Sequence, residues 1–318
     1  MTRSAAPCPS RTRAPHTRTL VALVVLLASA SVTACSGGEV PTPLALPSTT
    51  GIIDRAPVAS EADLATSTTA QAIKTRGGLK VASTATAPLM SQQNVNTGRY
   101  EGFDATLSEM FAKYVIGSPN RTVVNAEPAT REPLLATGTV DIVFMAYSIT
   151  PERAEKVGFA GPYLYSGLAL ATRADNDSIR KPADLNGKTV ITVSGTTAST
   201  VLKQFAPNVT ITEYDATPAA ILALEQGRGD AYCGDLINLA GSKHVNHAIK
   251  LVAYPPLTND PEGIGIKRGD EQFKQFVNTW LRKIMASGLW KEVWAATYGQ
   301  EIHGDPPQPP QIGGVPGT

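Results

Sequence analysis

An α/β architecture built in two halves follows from three features of the sequence. Strand-like and helix-like segments alternate through most of the chain. The run 140–145 is almost wholly apolar, as in a strand covered on both faces. The alternation then starts afresh after residue 168. Together they predict a mostly parallel sheet, with polar functional groups gathered beyond the carboxyl ends of its strands.

The elements follow in order. Leu79 to Ser83 reads as a short strand, and Gly102-Phe103-Asp104 leads into a helix with Leu107, Met110, Phe111 and Tyr114 spaced i, i+3, i+4, i+7. A strand at about Arg121 to Asn125 and a helix around Arg131 to Ala136 come next, before the apolar strand Val140 to Met145. Thr150-Pro151 supplies an N-cap and first helical residue. The second series begins with a strand at Leu168 to Thr172, then a strand at Thr189 to Val193 and a helix from Gly195-Thr196-Thr197 to about Phe205. Val209 to Tyr214 reads as a strand, Thr217-Pro218 caps a helix that stops at Gly227, and Asp230 to Gly234 is a short strand. Phe273 to Met285 is an amphipathic helix with Phe273, Phe276, Val277, Trp280, Leu281, Ile284 and Met285 on one face.

Composition removes several classes of function. Lys plus Arg number 28 against 27 Asp plus Glu, so the 318-residue chain lacks the basic excess of a nucleic-acid binder. A hydrophobic fraction of 42% excludes both wholesale disorder and a multi-span membrane protein. Three cysteines (Cys8, Cys35 and Cys233) cannot supply a disulfide framework, and Cys233 reads as a small buried hydrophobe.

The ends read differently from the body. Arg3, Arg11, Arg13 and Arg18 precede an apolar run from Leu20 to Ala30, the pattern of a secretory signal over residues 1–34 and too short for a spanning helix. Val32-Thr33-Ala34-Cys35 resembles the lipobox of bacterial lipoproteins, which implies cleavage before Cys35 and a diacylglyceryl group on its sulfur. Residues 35–69 are expected as the lipidated cysteine and a flexible Pro/Ser/Thr/Gly tether, and 303–318 as a disordered Pro/Gly tail.

Three strand-to-helix turns carry the candidate chemistry. Ser148 to Arg153 follows the apolar strand and offers the Ala146 carbonyl, the Ser148 hydroxyl and Arg153 in the first turn of a helix. A cation there is electrostatically disfavoured, which points to an anionic partner, although an ordinary surface arginine fits the same place. Ser194-Gly195-Thr196-Thr197 combines free N–H groups and hydroxyls in an anion nest or, more simply, a helix cap. Asp235 closes the Asp230 to Gly234 strand, where it suits an ammonium group or the N-cap of the next helix. One Arg with a nest, set against one Asp with a carbonyl, fits the two ends of a free amino acid.

The stretch from about Leu79 to Tyr298 resembles the family 3 solute-binding proteins, the amino-acid receptors of ABC importers. The resemblance rests on segments in the family's order: Gly102-Phe103-Asp104, Thr130 to Leu135, Ser148 to Arg153, Gly158 to Tyr163, Ser194 to Thr197 and Asp230 to Asp235. It implies a periplasmic-binding-protein-like fold of two α/β lobes joined by two hinge crossovers, near Leu168 to Thr172 and Val252 to Gly263. Lobe one is then 70–167 plus 264–302, and lobe two 168–263. The resemblance further implies that Arg153, Ser148 and the N–H of Thr197 hold an α-carboxylate, with Thr196 alongside. Asp235, Ser148 and the Ala146 carbonyl then hold the α-ammonium. Thr84 stands where many members carry a charged residue, and Pro128 where many carry an aromatic one. Arg131 matches the arginine that glutamate and aspartate binders aim at a side-chain carboxylate, and equally suits a structural role at a helix start.

The implied function is a monomeric, extracytoplasmic, lipid-anchored receptor that delivers a polar L-amino acid to an ABC importer permease. Glutamate is favoured, then glutamine or aspartate, with no cofactor or metal and no nucleic acid. Two alternatives stay open: a membrane sensor as the partner, or a dehydratase on the same fold using Asp235 or Glu101 as acid. No Gly-x-Ser-x-Gly elbow is present, and His244-x-x-His247, placed on an exposed helix face, lacks partners for a metal site.

Overall fold

A computed structural model describes residues 46–252 and 255–318. The signal segment and Cys35 lie outside the described residues. The body divides into two lobes, each built on a five-stranded sheet. In lobe one the strands run in the order Arg121–Asn125, Leu79–Ser83, Ile142–Ser148, Asp260–Ile266, Gly158–Ser166. In lobe two the order is Thr210–Tyr214, Thr189–Val193, Ala231–Asp235, Leu168–Arg173, Ile249–Leu251.

Each sheet is mixed rather than mostly parallel. The first three strands of either lobe pair in parallel, and the last two join antiparallel. Short αβ units favour the parallel half, whereas the chain's passage between lobes brings the other strands in from the opposite direction. The crossings lie at Ser166-Gly167-Leu168 and at residues 252–259. The first therefore precedes the expected Leu168 to Thr172. All of Asp260–Ile266 belongs to the lobe-one sheet, which moves the second boundary from 264 back to 260. The two crossings are tied together: Leu168 N–H donates to Thr258 Oγ1 at 2.9 Å, and Leu257 N–H to the Leu168 carbonyl at 2.6 Å.

The core of lobe one lies between the helices Phe103–Ile116 and Glu271–Ala286 and the sheet. Phe111 meets Trp280 edge-on at 5.0 Å and Phe273 at 6.0 Å, so the predicted amphipathic face packs as aromatic pairs. Met285 sits at its half-buried flank. Cys233 is buried and its thiol pushed up to about 12 by that burial.

Within the stretch expected as a tether, the described residues from 46 onward are folded against lobe one. Residues Thr50–Arg55 and Glu61–Leu64 are helical, and Ile52, Ile53 and Leu64 are buried in the lobe-one core. Ser60 and Asp63 close a capping box, and Ala59 N–H donates to the Tyr114 carbonyl at 2.8 Å. A few apolar residues with a strong cap thus outweigh the surrounding polar composition. The Pro/Gly tail forms no helix or strand yet is not free: Pro310 is buried, and Gly313 N–H donates to the Gly161 carbonyl at 2.8 Å.

The lobes are closed on one another. A Cβ at Gly241, on the lobe-two helix Leu236–Val245, would stand 2.0 Å from the Pro88 carbonyl oxygen of lobe one. A Cβ at Gly195 would stand 2.7 Å from the Ala129 nitrogen, and Gly195 also has a φ of +76°. Beside Gly241, Lys243 pairs with Glu301 of lobe one, and His244 Nδ1 lies 3.3 Å from the same carboxylate. The helix ends at Val245, so His247 lies beyond it and the two histidines do not share an exposed helix face as expected. Gly241→Ala should separate this contact at a cost of about 1–3 kcal/mol to the closed form. Small-angle scattering should then report a wider particle with an unchanged cooperative melt; an unchanged profile would show that the contact does not hold the lobes together.

Candidate functional site

A narrow cavity of about 50 Å³ lies between the lobes, at the carboxyl ends of Ile142–Ser148, Thr189–Val193 and Ala231–Asp235. Lobe one contributes Arg131, Met145, Ala146, Ser148 and Arg153 to its wall. Lobe two contributes Thr196, Thr197, Tyr232, Asp235 and Asn238, among others.

Arg153 is placed by local sequence. Thr150 Oγ1 accepts the Arg153 N–H at 3.2 Å and Pro151 follows the cap, so the helix starts where predicted and its first turn faces the cleft. Arg153 is 7% exposed. Nη1 donates to the Ser148 carbonyl at 2.9 Å, and Nη2 crosses to the Gly195 carbonyl of lobe two at 3.0 Å. Two of its five donors are thus used within the protein and three remain.

Arg131 is more deeply buried, at 3% exposure, with Nη1 3.4 Å from the Met145 carbonyl and Nε without a partner. Its guanidinium carbon lies 3.6 Å from the centroid of the Tyr147 ring, and that of Arg153 lies 5.0 Å from it. Burial, then the neighbouring Arg153 charge, lowers the Arg131 guanidinium to about 10. Neither arginine is ion-paired to a carboxylate among the described residues. Tyr147, which sequence reading did not single out, holds two like charges at one wall.

Ala146 sits at a break in the strand. Pairing with Asp260–Ile266 slips between Gly263 and Gly265, so Phe144 to Ala146 stand opposite Ile264 alone. Ala146 has a φ of +41°, a strained value for a residue with a side chain. Asp104 compensates: Oδ2 accepts the Ala146 N–H at 3.1 Å, and Oδ1 accepts the Tyr163 hydroxyl at 2.9 Å. This accounts for the Gly102-Phe103-Asp104 segment: it places a carboxyl beneath the strand bulge. Asp104 is fully buried, and burial raises its carboxyl to about 7.

Ser148 ends the strand, which runs from Ile142 rather than Val140 and extends past Met145. Its hydroxyl donates to Glu262 Oε1 at 3.2 Å. Asp235 is the N-cap of the next helix and also lines the cavity. Oδ1 caps the helix Leu236–Val245 through the Ile237 N–H at 3.0 Å and accepts the Ser166 hydroxyl at 2.6 Å, while the side chain lines the cavity. Burial raises its carboxyl to about 6.

In the Thr196-Thr197 turn, the Thr196 hydroxyl donates to the Val193 carbonyl at 2.7 Å, and Thr197 begins the helix Ala198–Phe205 without a side-chain cap. Its first N–H groups are therefore left to a ligand or water. Thr84 is not among the cavity-lining residues: its hydroxyl lies 3.1 Å from that of Thr86 in a lobe-one hairpin. Glu101 pairs with Asn94 in the same small sheet, away from the cavity. Sequence reading missed Glu262, Asp104 and Tyr147, and also Asn238, whose buried Oδ1 has no partner. Asp104 at least stands within the Gly102-Phe103-Asp104 segment already singled out, whereas Glu262 lies in the strand Asp260–Ile266, which opens with another acid.

Two lobes closing over a cavity walled by two guanidiniums from one lobe and the Asp235 carboxyl from the other define a receptor for a small charged molecule. The chain belongs to the bacterial extracellular solute-binding proteins, family 3, whose profile matches residues 79–300. It is 30% identical over 262 residues to a glutamine-binding protein of Geobacillus stearothermophilus, covering 81% of this chain and 95% of the relative. It is 34% identical over 179 residues to a glutamate-binding protein of Corynebacterium glutamicum, covering 54% of this chain and 61% of the relative. A solved cysteine-binding protein from Campylobacter jejuni superposes with a TM-score of 0.69 at 27% identity, over 74% of this chain and 95% of that one. The protein is thus a solute-binding receptor and not an enzyme.

The buried acids set a pH dependence. Asp104 at about 7 and Asp235 at about 6 both stand above the ordinary 3.8, so the folded state holds protons that the unfolded chain releases. Their contribution is complete below about pH 4 and is lost as pH rises towards about 7, at up to about 1.4 kcal/mol per pH unit for each group. The urea midpoint should fall across that range. Asp104→Asn should flatten its upper part while costing about 1–3 kcal/mol through the Ala146 N–H; a midpoint rising with pH would contradict the assignment.

Proposed function

We propose that the protein is a lipid-anchored extracytoplasmic receptor that binds a free polar L-amino acid, glutamate before glutamine or aspartate, and delivers it to an ABC importer permease. The observation that carries this reading is the pair of buried guanidiniums, Arg131 and Arg153, facing the cavity without a carboxylate partner and opposite Asp235. Arg153 and the Thr197 N–H receive the α-carboxylate; Asp235, the Ser148 hydroxyl and the Ala146 carbonyl receive the α-ammonium; Arg131 receives the side chain. Like charge and burial disfavour both arginines, and an anion relieves both costs at once. A dicarboxylic amino acid brings one carboxylate for each guanidinium. The glutamine- and glutamate-binding relatives support the same ligand class.

Arg153 belongs to lobe one and Asp235 to lobe two, so a zwitterion bridging them favours the closed form over an open one. Cys35 is the proposed anchor, since two or more acyl chains hold a protein at a membrane where one does not.

A thermal-shift screen of the common amino acids should give its largest rise with glutamate, because only the folded state binds. Arg153→Ala leaves a buried carboxylate unpaired, about 3–5 kcal/mol, so calorimetry should read on the order of a hundredfold or more in lost affinity. Arg131→Gln should weaken glutamate more than glutamine; equal losses would show that Arg131 does not read the side chain. Replacing Cys35 with Ser should move the protein from the membrane fraction to the medium or periplasm. Retention at the membrane would refute the lipid anchor.

A further inference from the structure

The tail from Gly304 to Thr318 lies beyond the residues that the family profile matches, and the ligand reading above gives it no part. It nevertheless packs along lobe one. Lys291 Nζ donates to Gln308 Oε1 at 3.3 Å, Pro310 is buried and Ile312 packs on the aromatic core. Gly313 N–H then donates to the Gly161 carbonyl at 2.8 Å. Gly161 belongs to Gly158–Ser166, the outermost strand of the lobe-one sheet. Past that strand Val315 packs on a different apolar cluster, and a Cβ at Gly317 would stand 3.5 Å from that of Ala154.

The two clusters lie on opposite faces of the sheet. Along Ile142–Ser148, Ile142 and Phe144 join the cluster that Ile312 touches, whereas Val143, Met145 and Tyr147 join the one that Val315 touches. Successive side chains of a strand point to opposite faces, so the tail passes around the sheet edge from one face to the other. Its prolines keep it extended and offer no N–H groups with which to pair as a further strand.

The far end of the tail bears on the site. Arg153 stands in a helix of a single turn, Pro151–Ala154, which is too short to hold itself. Ala154 and Val157 pack on the same cluster as Val315. Tyr147, whose ring lies against both guanidiniums, belongs to that cluster too.

We propose that Ile312 to Thr318 form a positioning strap for the ligand site: by pinning Ala154 and the cluster that includes Tyr147, Val315 and Gly317 hold the Arg153 guanidinium in the geometry that a ligand carboxylate requires. The strap touches no ligand and acts through Arg153. A guanidinium that shifts still attracts an anion but loses the alignment of its hydrogen bonds. This inference rests on the amino-acid receptor reading and deepens it.

Val315→Asp in the full chain sets a carboxylate against the apolar cluster and releases the strap. Calorimetry should read a loss in glutamate affinity of about tenfold. In an Arg153→Ala background the same substitution should cost less than about twofold, because the group it positions is gone. Val315→Ile keeps the contact and should retain the wild-type affinity. A strap that only stabilises lobe one would lower the melting temperature with affinity unchanged, or weaken binding equally in both backgrounds. Either result would overturn the proposal. If Val315→Asp does not fold, Val315→Ala carries the same comparison.

Hydrogen exchange gives a readout that needs no ligand. The amides of Ala154, Glu155 and Val157 donate to the carbonyls of Thr150, Pro151 and Arg153 and should exchange faster in Val315→Asp. Those of Leu79–Ser83, inside the sheet, should keep their protection. A wild type that binds no glutamate would sink the receptor reading, and exchange then decides the strap by itself. Unchanged rates at residues 154–157 would refute it.

Discussion

Two guanidiniums buried against one tyrosine ring form the constraint around which the site is organised. Arg131 and Arg153 stand 3.6 and 5.0 Å from the centroid of Tyr147, each nearly inaccessible to water. Placing like charges together in a protein interior is costly unless dipoles, π-faces or counter-charges replace the lost water. Here the carbonyls of Met145, Ser148 and Gly195 and the Tyr147 ring supply part of that replacement. The remainder is open to an anion. The strand bulge at Ala146, the buried carboxyl of Asp104 beneath it and the Thr150 cap all hold the polar groups of this wall in place.

Closure adds a second requirement. The lobes meet at points with no space for a side chain, at Gly195 against Ala129 and at Gly241 against Pro88, and through Lys243 with Glu301. None of these contacts passes through a ligand. The closed form thus has stabilising interactions of its own, and a ligand needs to supply only the difference between open and closed. Arg153 joins the two effects, because the same guanidinium that faces the cavity donates across the cleft to Gly195.

The fold was legible where local pattern decides it. The strands Leu79–Ser83, Arg121–Asn125 and Thr189–Val193 and the helix Arg131–Ala136 occupy the residues predicted for them. Apolar alternation and caps act over a few residues, and these elements lie in short αβ units. The strands Gly158–Ser166 and Asp260–Ile266 escaped, being interrupted by Gly and Pro and stabilised by pairing about a hundred residues apart in the chain. Helices at Thr50–Arg55 and Glu61–Leu64 escaped because polar composition concealed a capping box and a few buried aliphatic residues.

The site divides along the same line. By itself the sequence determined that Arg153, Thr197 and Asp235 stand at the ends of strands, because helix caps and turns are written in neighbouring residues. Only the tertiary structure decided that Arg131 joins Arg153 on Tyr147, that Thr84 turns away into a hairpin, and that Asp104 supports Ala146. It alone brought the Glu262 carboxyl against the Ser148 hydroxyl. Charge pairing, burial and protonation depend on what surrounds a group in space, and the groups that surround these come from distant parts of the chain.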